Sequence, residues 1–329
     1  MKIRIVKPGL LTTIQDLGRW AYLAQAVPVS GAMDTYSARL ANKCIGNPDN
    51  DAVIEFTASG ASFIAETDLL IAYTGGGAIL EVNEQQLPPN RPLFVPVGSN
   101  ITFTNSRNGF RTYLAIAGGW DLPLVLGSRS TYTIAGFGGH KGRSLQKQDI
   151  LESSQNLTPL AEKIFLSLKT DHINYSSWHA GVPFRTLDNY TIRIMPGHEF
   201  GWFEGQSIAT LLSTAYNINN RSNRMGCFLD GIQMKRRHQQ ELLSTAVTPG
   251  TIQVVNDGSL VLLMADAQTT GGYPRIAQIA AADLPLCGQL KPGDAIKFEE
   301  ISFHDAETLY FEQENNIEMI GQAIAAKFR

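Results

Sequence analysis

"SLVLLMADAQTTGGYPRIAQIAA", residues 259–281, decides how the rest of the chain is read. Its opening run, "SLVLLMA" (259–265), is apolar, too short for most helices and suited to a buried strand. The chain then turns abruptly polar at Asp266, Gln268, Thr269 and Thr270. Gly271, Gly272, Tyr273, Pro274 and Arg275 follow, and the apolar pattern resumes with "RIAQIAA". Strand, polar turn and strand together are the pattern of a β protein. Amide, hydroxyl, phenol and guanidinium groups in one turn read as a recognition surface, beside backbone that glycine alone allows. An elaborate turn joining two strands is the other reading.

The same alternation of short apolar runs and turn residues fills residues 1–151. "AVIEF" (52–56), "DLLIAYTG" (68–75), "PLFVPVG" (92–98), "NITFTN" (100–105) and "TYLAIAGG" (112–119) read as strands. The first residues, "MKIRIVKPGLL", alternate charge and aliphatic and read as another strand; they lack the continuous apolar region of a signal peptide. From about residue 190, "YTIRIMPG", "GTIQVV", "SLVLLMAD", "RIAQIAA" and "DAIKFEE" repeat the pattern. Strands at this spacing predict a sandwich or barrel in each half. The expected organisation is a β domain over 1–151, a connecting segment over 152–189, a second β domain over 190–302 and a helix over 303–329.

Helical periodicity is confined to a few places. In "MDTYSARLANKCIGNP", Asp34 is a good N-cap, and Tyr36, Leu40 and Cys44 recur on one face. "TPLAEKIFLSLK" has Thr158 as N-cap and Pro159 at the first helical position. Near the C-terminus, Ile317, Ile320, Ile324 and Phe328 form an apolar stripe.

Composition narrows the function classes. With 329 residues, 43% hydrophobic and 17% charged, the chain can build sizeable cores. A formal net charge of −3 gives no basis for a nucleic-acid partner, and no apolar run approaches a membrane span. Cys44, Cys227 and Cys287 are far apart and form no CxxC pair, so neither a metal site nor a disulfide framework is expected. A cytoplasmic setting is. There is no P-loop, GxSxG elbow or HExxH sequence, and no Ala-Met-Lys-Met biotinylation signal.

Three further segments carry candidate chemistry. In residues 9–34, Gln15, Asp16 and Arg19 lie close together, and Ser30 and Asp34 lead into the first helix. That helix start suits an anion, or Asp34 and Ser30 simply cap it. In "LGSRSTYTIAGFGGHKGR" (126–143), Arg129 and Ser130 sit among small residues, where a carboxylate could meet a planar guanidinium. His140 and Lys141 in the same stretch also fit an ordinary solvated loop. "NINNRSNRMGCFLDG" (217–231) contributes Asn223 and Arg224.

Taken together, "GLLTTIQDLGRW…VPVSGAMD", "AGGWDLPLVLGSRSTY…GFGGHKGR", "SNRMGCFL" and "PGTIQVVNDGSLVLLMADAQTTGGYPRIA" resemble one family. Its members are called the C-subunit of 5-oxoprolinase or the second subunit of allophanate hydrolase. The family is also described as biotin-dependent carboxyltransferase-like and as an antagonist of a sporulation-kinase inhibitor. The resemblance runs from about residue 3 to 301. It implies a mainly β fold of two cyclophilin-like β-barrel domains with a few peripheral helices. It implies an ATP-dependent amidohydrolase that opens 5-oxoproline to glutamate through a phosphorylated lactam. The 5-oxoprolinase subunits B and A would be its partners, and ATP would be shared with or bound by a partner. The alternatives it carries are carboxyl transfer from carboxybiotin to urea or a similar amide, and a non-enzymatic antagonist.

By the same resemblance, Asp266, Gln268, Thr269, Thr270 and Tyr273 would be catalytic. Gln15, Asp16, Arg19, Ser30, Asp34, Arg129, Ser130, Arg224 and Arg275 would bind substrate. The sequence departs from the family pattern at Ala21, Ala26 and Gln148, where glycines are usual, and at Cys227-Phe228, where a Tyr-Arg pair is usual.

Overall fold

The computed structural model describes residues 1–106, 108–181, 190–238 and 240–328. Residues 182–189 of the expected connecting segment lie outside the described residues. The chain divides into two compact units, neither contiguous in sequence. The first comprises Met1–Gly18, Asp34–Thr186 and Asn315–Arg329; the second comprises Arg19–Met33 and Leu187–Glu314.

The first unit is built from β1 (Lys2–Pro8), β2 (Leu11–Gln15), β3 (Val53–Thr57), β4 (Ala61–Ala65), β5 (Leu69–Gly75), β6 (Ala78–Val82), β7 (Gln85–Gln86), β8 (Leu93–Val95), β9 (Asn100–Asn105), β10 (Arg111–Ile116), β11 (Ile150–Glu152) and β12 (Asn174–Tyr175). They form two six-stranded sheets, in the orders β11-β1-β4-β9-β6-β7 and β12-β8-β5-β10-β3-β2. One continuous core joins them, drawing Ile3, Ile5, Phe63, Leu80 and Phe103 from the first sheet and Ile14, Ile54, Phe56, Tyr73 and Leu114 from the second. Phe56 and Phe103 meet across it with ring centroids 4.3 Å apart.

The two sheets differ in their outer faces, and the sequence pattern follows. β1 and β9 alternate between buried and more exposed residues, as a sheet with one wet face does. β3 and β10 are buried at every position. α1 (Thr35–Cys44), which packs on β5 and β10, covers part of that second face. Asp34 caps α1 by accepting the Ser37 N–H at 2.8 Å, and Leu40 and Cys44 are buried. α2 (Pro159–Leu168) begins as its sequence predicts: Thr158 accepts from Ala161 N–H, with Pro159 at the first position.

The second unit holds β13 (Tyr190–Pro196), α3 (Gly205–Ser213), β14 (Tyr216–Ile218), β15 (Gly226–Asp230), β16 (Thr245–Ala246), β17 (Thr251–Val254), β18 (Leu260–Leu263), β19 (Thr270–Gly271), β20 (Arg275–Ile279), α4 (Leu284–Gln289) and β21 (Ala295–Glu300). Seven strands close into a barrel in the order β13-β20-β17-β18-β15-β14-β21. The seam is the parallel pair β13–β21, with Ile192 opposite Phe298. Ile192, Ile252, Leu262, Ile276, Ile296 and Phe298 fill the interior. The final helix, α5 (Phe303–Lys327), buries Ile317 and Ile324 of the expected stripe. In the first unit it meets α1: Glu318 lies 3.3 Å from Lys43, and Asn316 donates to Tyr36 Oη at 3.3 Å.

One expectation is overturned. Among the described residues only the second unit is a closed barrel; the first consists of two open sheets packed face to face, so there are not two cyclophilin-like barrels. Alternation and turn spacing count strands and orient their faces. They do not say whether the outer strands of a sheet find hydrogen-bond partners in the other sheet, and here β11, β7, β12 and β2 end their sheets.

Two departures from the family pattern fall on strained backbone. Ala26 has φ 61° and Gln148 has φ 72°, a left-handed conformation that costs a residue with a Cβ about 1–2 kcal/mol. Both side chains are exposed. Ala26→Gly and Gln148→Gly should therefore each raise stability, by about 0.5–1 kcal/mol after the greater freedom of glycine in the unfolded chain is counted. Chemical denaturation midpoints at constant slope are the check.

Candidate functional site

In each unit some of the expected site residues come together. In the first unit, β2 runs out into Gln15 and Asp16 and is the last strand of its sheet. Residues 128–131 lie along its open edge: Thr131 N–H donates to Ile14 O at 2.8 Å, and Ile14 N–H donates to Thr131 Oγ1 at 3.3 Å. The Asp16 carboxylate locks this corner. Its Oδ1 accepts from Ser128 Oγ at 2.6 Å, Ser130 Oγ at 2.5 Å and Gly18 N–H at 2.8 Å, and its Oδ2 accepts from Arg129 N–H at 2.6 Å. The Asp16 N–H in turn donates to Ser130 Oγ at 3.0 Å. A buried carboxylate bonded this heavily is a structural clasp with little capacity left to act as a base.

Gln15 is fully buried beside it. Its Nε2 donates to Thr13 Oγ1 at 3.0 Å and to Thr131 O at 3.2 Å, while its Oε1 has no hydrogen-bond partner among the described residues. The clasp presents Arg129. The Arg129 Nε donates to Leu122 O at 3.0 Å, and its terminal nitrogens make no hydrogen bond or ion pair among the described residues. Its charge acts on Asp51, a half-buried carboxyl whose pKa burial raises and the Arg129 charge partly restores.

The loop beyond Arg129 ends in a cluster that spends its own charge. Arg143 grips Asp149 with two bonds of 2.7 and 2.8 Å, Gln146 N–H adds a third at 2.7 Å, and His140 Nε2 lies 3.3 Å away. Arg143 is the main reason the Asp149 carboxyl is held at about 2, against the opposing cost of burial. Burial lowers the His140 pKa, with the Asp149 charge working the other way.

In the second unit, Arg224 and Asp266 form a buried two-bond pair, Nε to Oδ2 at 2.8 Å and Nη2 to Oδ1 at 3.0 Å. Arg224 Nη2 also donates to Gly31 O at 2.6 Å. Ser30 N–H donates to Ala265 O at 2.9 Å, and Arg19 N–H donates to Val29 O at 2.8 Å. Thus Arg19, Ser30, Arg224 and Asp266 come together around the segment 29–31. Ser30 itself is left-handed at φ 56°, and its buried hydroxyl has no partner among the described residues.

The polar turn after Asp266 is divided. Thr269 is buried, and its carbonyl accepts from Val247 N–H at 3.0 Å. Thr270 and Gly271 form β19 against β16. Gln268, Thr270 and Tyr273 are exposed. Neither Gly271 nor Gly272 is left-handed, contrary to the expectation of glycine-only backbone. Gly271 instead makes room for a neighbour, since a Cβ there would lie 2.6 Å from Gln253 Nε2. Arg275 is committed to Glu199 through 2.8 Å bonds from Nε and Nη2, with a third from its N–H at 3.0 Å. Burial works against the Glu199 charge, but these bonds outweigh it and lower its pKa.

Glu199 and Ser128 belong to these arrangements and are not among the expected residues. Ser128 has a local signal, one position before Arg129. Glu199 lies 76 residues from Arg275 and has none.

The matches to known proteins agree with this layout. The family model "Carboxyltransferase domain, subdomain A and B" matches residues 25–300. The C-subunit of 5-oxoprolinase from Escherichia coli is 34% identical over 317 residues, covering 94% of this chain and 97% of that protein. Urea amidolyase of Saccharomyces cerevisiae is 33% identical over 322 residues; the match covers 93% of this chain but only 17% of that protein. The crystal structure of the Kluyveromyces lactis urea carboxylase superposes with a TM-score of 0.87 at 29% identity, over 97% of this chain and 29% of that one. The chain belongs to the carboxyltransferase-domain family of enzymes that includes the C-subunit of 5-oxoprolinase.

Removing one partner of the Arg224–Asp266 pair leaves a buried charge uncompensated, so Arg224→Ala should cost about 3–5 kcal/mol in a denaturation experiment. Asp149, with its carboxyl held below the ordinary 3.8, contributes stability that is complete above about pH 4–5. On the order of 2 kcal/mol of it is lost as pH falls from there toward 2. Asp149→Asn should flatten that part of the acid-unfolding curve.

Proposed function

We propose that this chain is the carboxyltransferase component of an amide-processing system. It passes a carboxyl group, delivered as an N-carboxylated ureide on a biotin-bearing partner protein, to the nitrogen of urea or a similar small amide. The observation that carries the reading is Arg129. Arg224 and Arg275 are committed to Asp266 and Glu199, whereas the terminal nitrogens of Arg129 make no hydrogen bond among the described residues, its Nε is held by Leu122 O and its backbone N–H by Asp16. A guanidinium in that state suits a planar carboxylate, which it can grip with two parallel bonds. The family model and the likeness to a urea carboxylase support the same reading.

The reaction balances simply. The acceptor nitrogen's lone pair forms the new N–C bond, and the carbon's bond to the donor nitrogen breaks with its electron pair on that nitrogen. The acceptor N–H proton leaves and the donor nitrogen gains one. Arg129 would hold the carboxylate oxygens throughout. Its rigid placement means that little reorganisation is needed as charge shifts, which is where such groups lower barriers most.

A second reading is a component of an ATP-dependent 5-oxoprolinase acting with subunits B and A, supported by the 34% identity to the Escherichia coli C-subunit. Here ATP would be bound by or shared with a partner, and Arg129 would meet the 5-oxoproline carboxylate.

Affinity capture of the tagged chain followed by streptavidin blotting separates the two. A biotinylated partner with urea-dependent ATP turnover supports carboxyl transfer. Glutamate release from 5-oxoproline and ATP, with no biotinylated partner, supports the second reading. In whichever reaction runs, Arg129→Gln should lower kcat/KM by about 100-fold, or ~3 kcal/mol, with the melting temperature close to that of the unsubstituted protein.

A further inference from the structure

The covered face of the second sheet carries polar groups that neither reading uses. Strand register places Thr13 opposite Glu55, Glu55 opposite Tyr113, and Tyr113 opposite Thr74. Side chains directly opposite one another share a face and lie roughly 5 Å apart at Cβ. The four form one row across β2, β3, β10 and β5, on the face away from the sandwich core, and each is at most 2% exposed.

The row is bonded at both ends. Tyr113 Oη donates to Glu55 Oε2 at 2.9 Å and accepts from Asp34 N–H at 2.8 Å. Thr74 Oγ1 donates to Ser37 O at 2.6 Å, in the first turn of α1. At the other end, Thr13 Oγ1 receives Gln15 Nε2. Arg111, two residues before Tyr113 on the same face, places its Nε 3.9 Å from Glu55 Oε1. A buried carboxylate is costly, and an apolar row would cover the sheet as well. Its retention here fits a need for fixed geometry.

We propose that Tyr113 is a positioning residue. Held by Glu55, its hydroxyl fixes Asp34 at the head of α1, and the same pair steadies, through Thr13, the Gln15–Asp16 corner from which Arg129 is presented. This rests on the reading that Arg129 anchors the substrate. Because the row is continuous, the two ends form one unit: loosening Tyr113 loosens both. The Tyr113 hydroxyl stays protonated, since burial and then the Glu55 and Asp34 charges push its pKa well above 10.0.

The test uses Tyr113→Phe, which keeps the ring and removes the hydroxyl, and Glu55→Gln, which keeps an acceptor. Amide hydrogen exchange is followed in peptides covering residues 11–18 and 34–44, alongside steady-state kinetics of the reconstituted reaction. In Tyr113→Phe, exchange should rise at least tenfold in both peptides. Its kcat should fall tenfold or more while KM stays within twofold, and Glu55→Gln should retain most of the activity. If exchange rises only in residues 34–44, or if the variant melts earlier with kcat per folded molecule unchanged, the residue is merely structural and the proposal is wrong. Should the unsubstituted protein turn over neither substrate, the functional reading fails instead, and the two exchange profiles alone decide whether the row acts as one unit.

Discussion

Burial on both faces of the strands β5, β10 and β3 is the constraint from which most of this structure follows. One face packs into the sandwich core and α1 packs on the other at β5 and β10, so polar groups on either side cannot turn to water. Each must be satisfied from within. That requirement explains the row Thr13–Glu55–Tyr113–Thr74. It also explains the cap that ties α1 to the sheet, and the near-complete burial of β3, β5 and β10. The exposed edge of β2 poses the same problem for backbone, and residues 128–131 solve it by lying along that edge.

The same logic sorts the charged residues. Asp16, Asp149, Glu199 and Asp266 are buried and bonded to cations, hydroxyls or backbone N–H groups. Asp16, Glu199 and Asp266 each hold two distant stretches of chain in register, and Asp149 closes its own loop. These carboxylates therefore serve as architecture. Arg129 differs because its backbone is clasped while its fork is not. A side chain rigid at its root and unspent at its tip is the arrangement that pre-organised recognition requires.

Much of the local structure is legible in the sequence. Asp34 and Thr158 cap helices as their positions predict, and "NITFTN" is β9 to the residue. These signals are local: a cap needs only its own first turn, and a strand's period needs only its neighbours. The short helices α3 and α4 give no such signal, since neither has a long apolar period or a side-chain cap bond. Gly271 reads in sequence as part of a polar turn, yet its role is steric, set by a glutamine on β17 that no local pattern links to it. The site is legible as a set of residues but not as a set of roles. Arg224, Arg275 and Arg129 look alike in sequence, and only the carboxylates that meet them tell them apart.

By itself, then, the sequence determined the kinds of element, their order and the faces they bury, because hydrophobic period, caps and turn residues act over a few positions. The tertiary structure alone decided that one set of strands closes into a barrel while the other remains two open sheets. It also decided that the segment Arg19–Met33 joins the second unit and Asn315–Arg329 the first. Sheet closure and segment exchange depend on which edges and charges meet across dozens to hundreds of residues. Arg224 bonds the carbonyl of Gly31 from 193 positions away, and Asp34 finds Tyr113 from 79. Such pairings are fixed by the packing of the whole unit, and no short-range pattern in the chain encodes them.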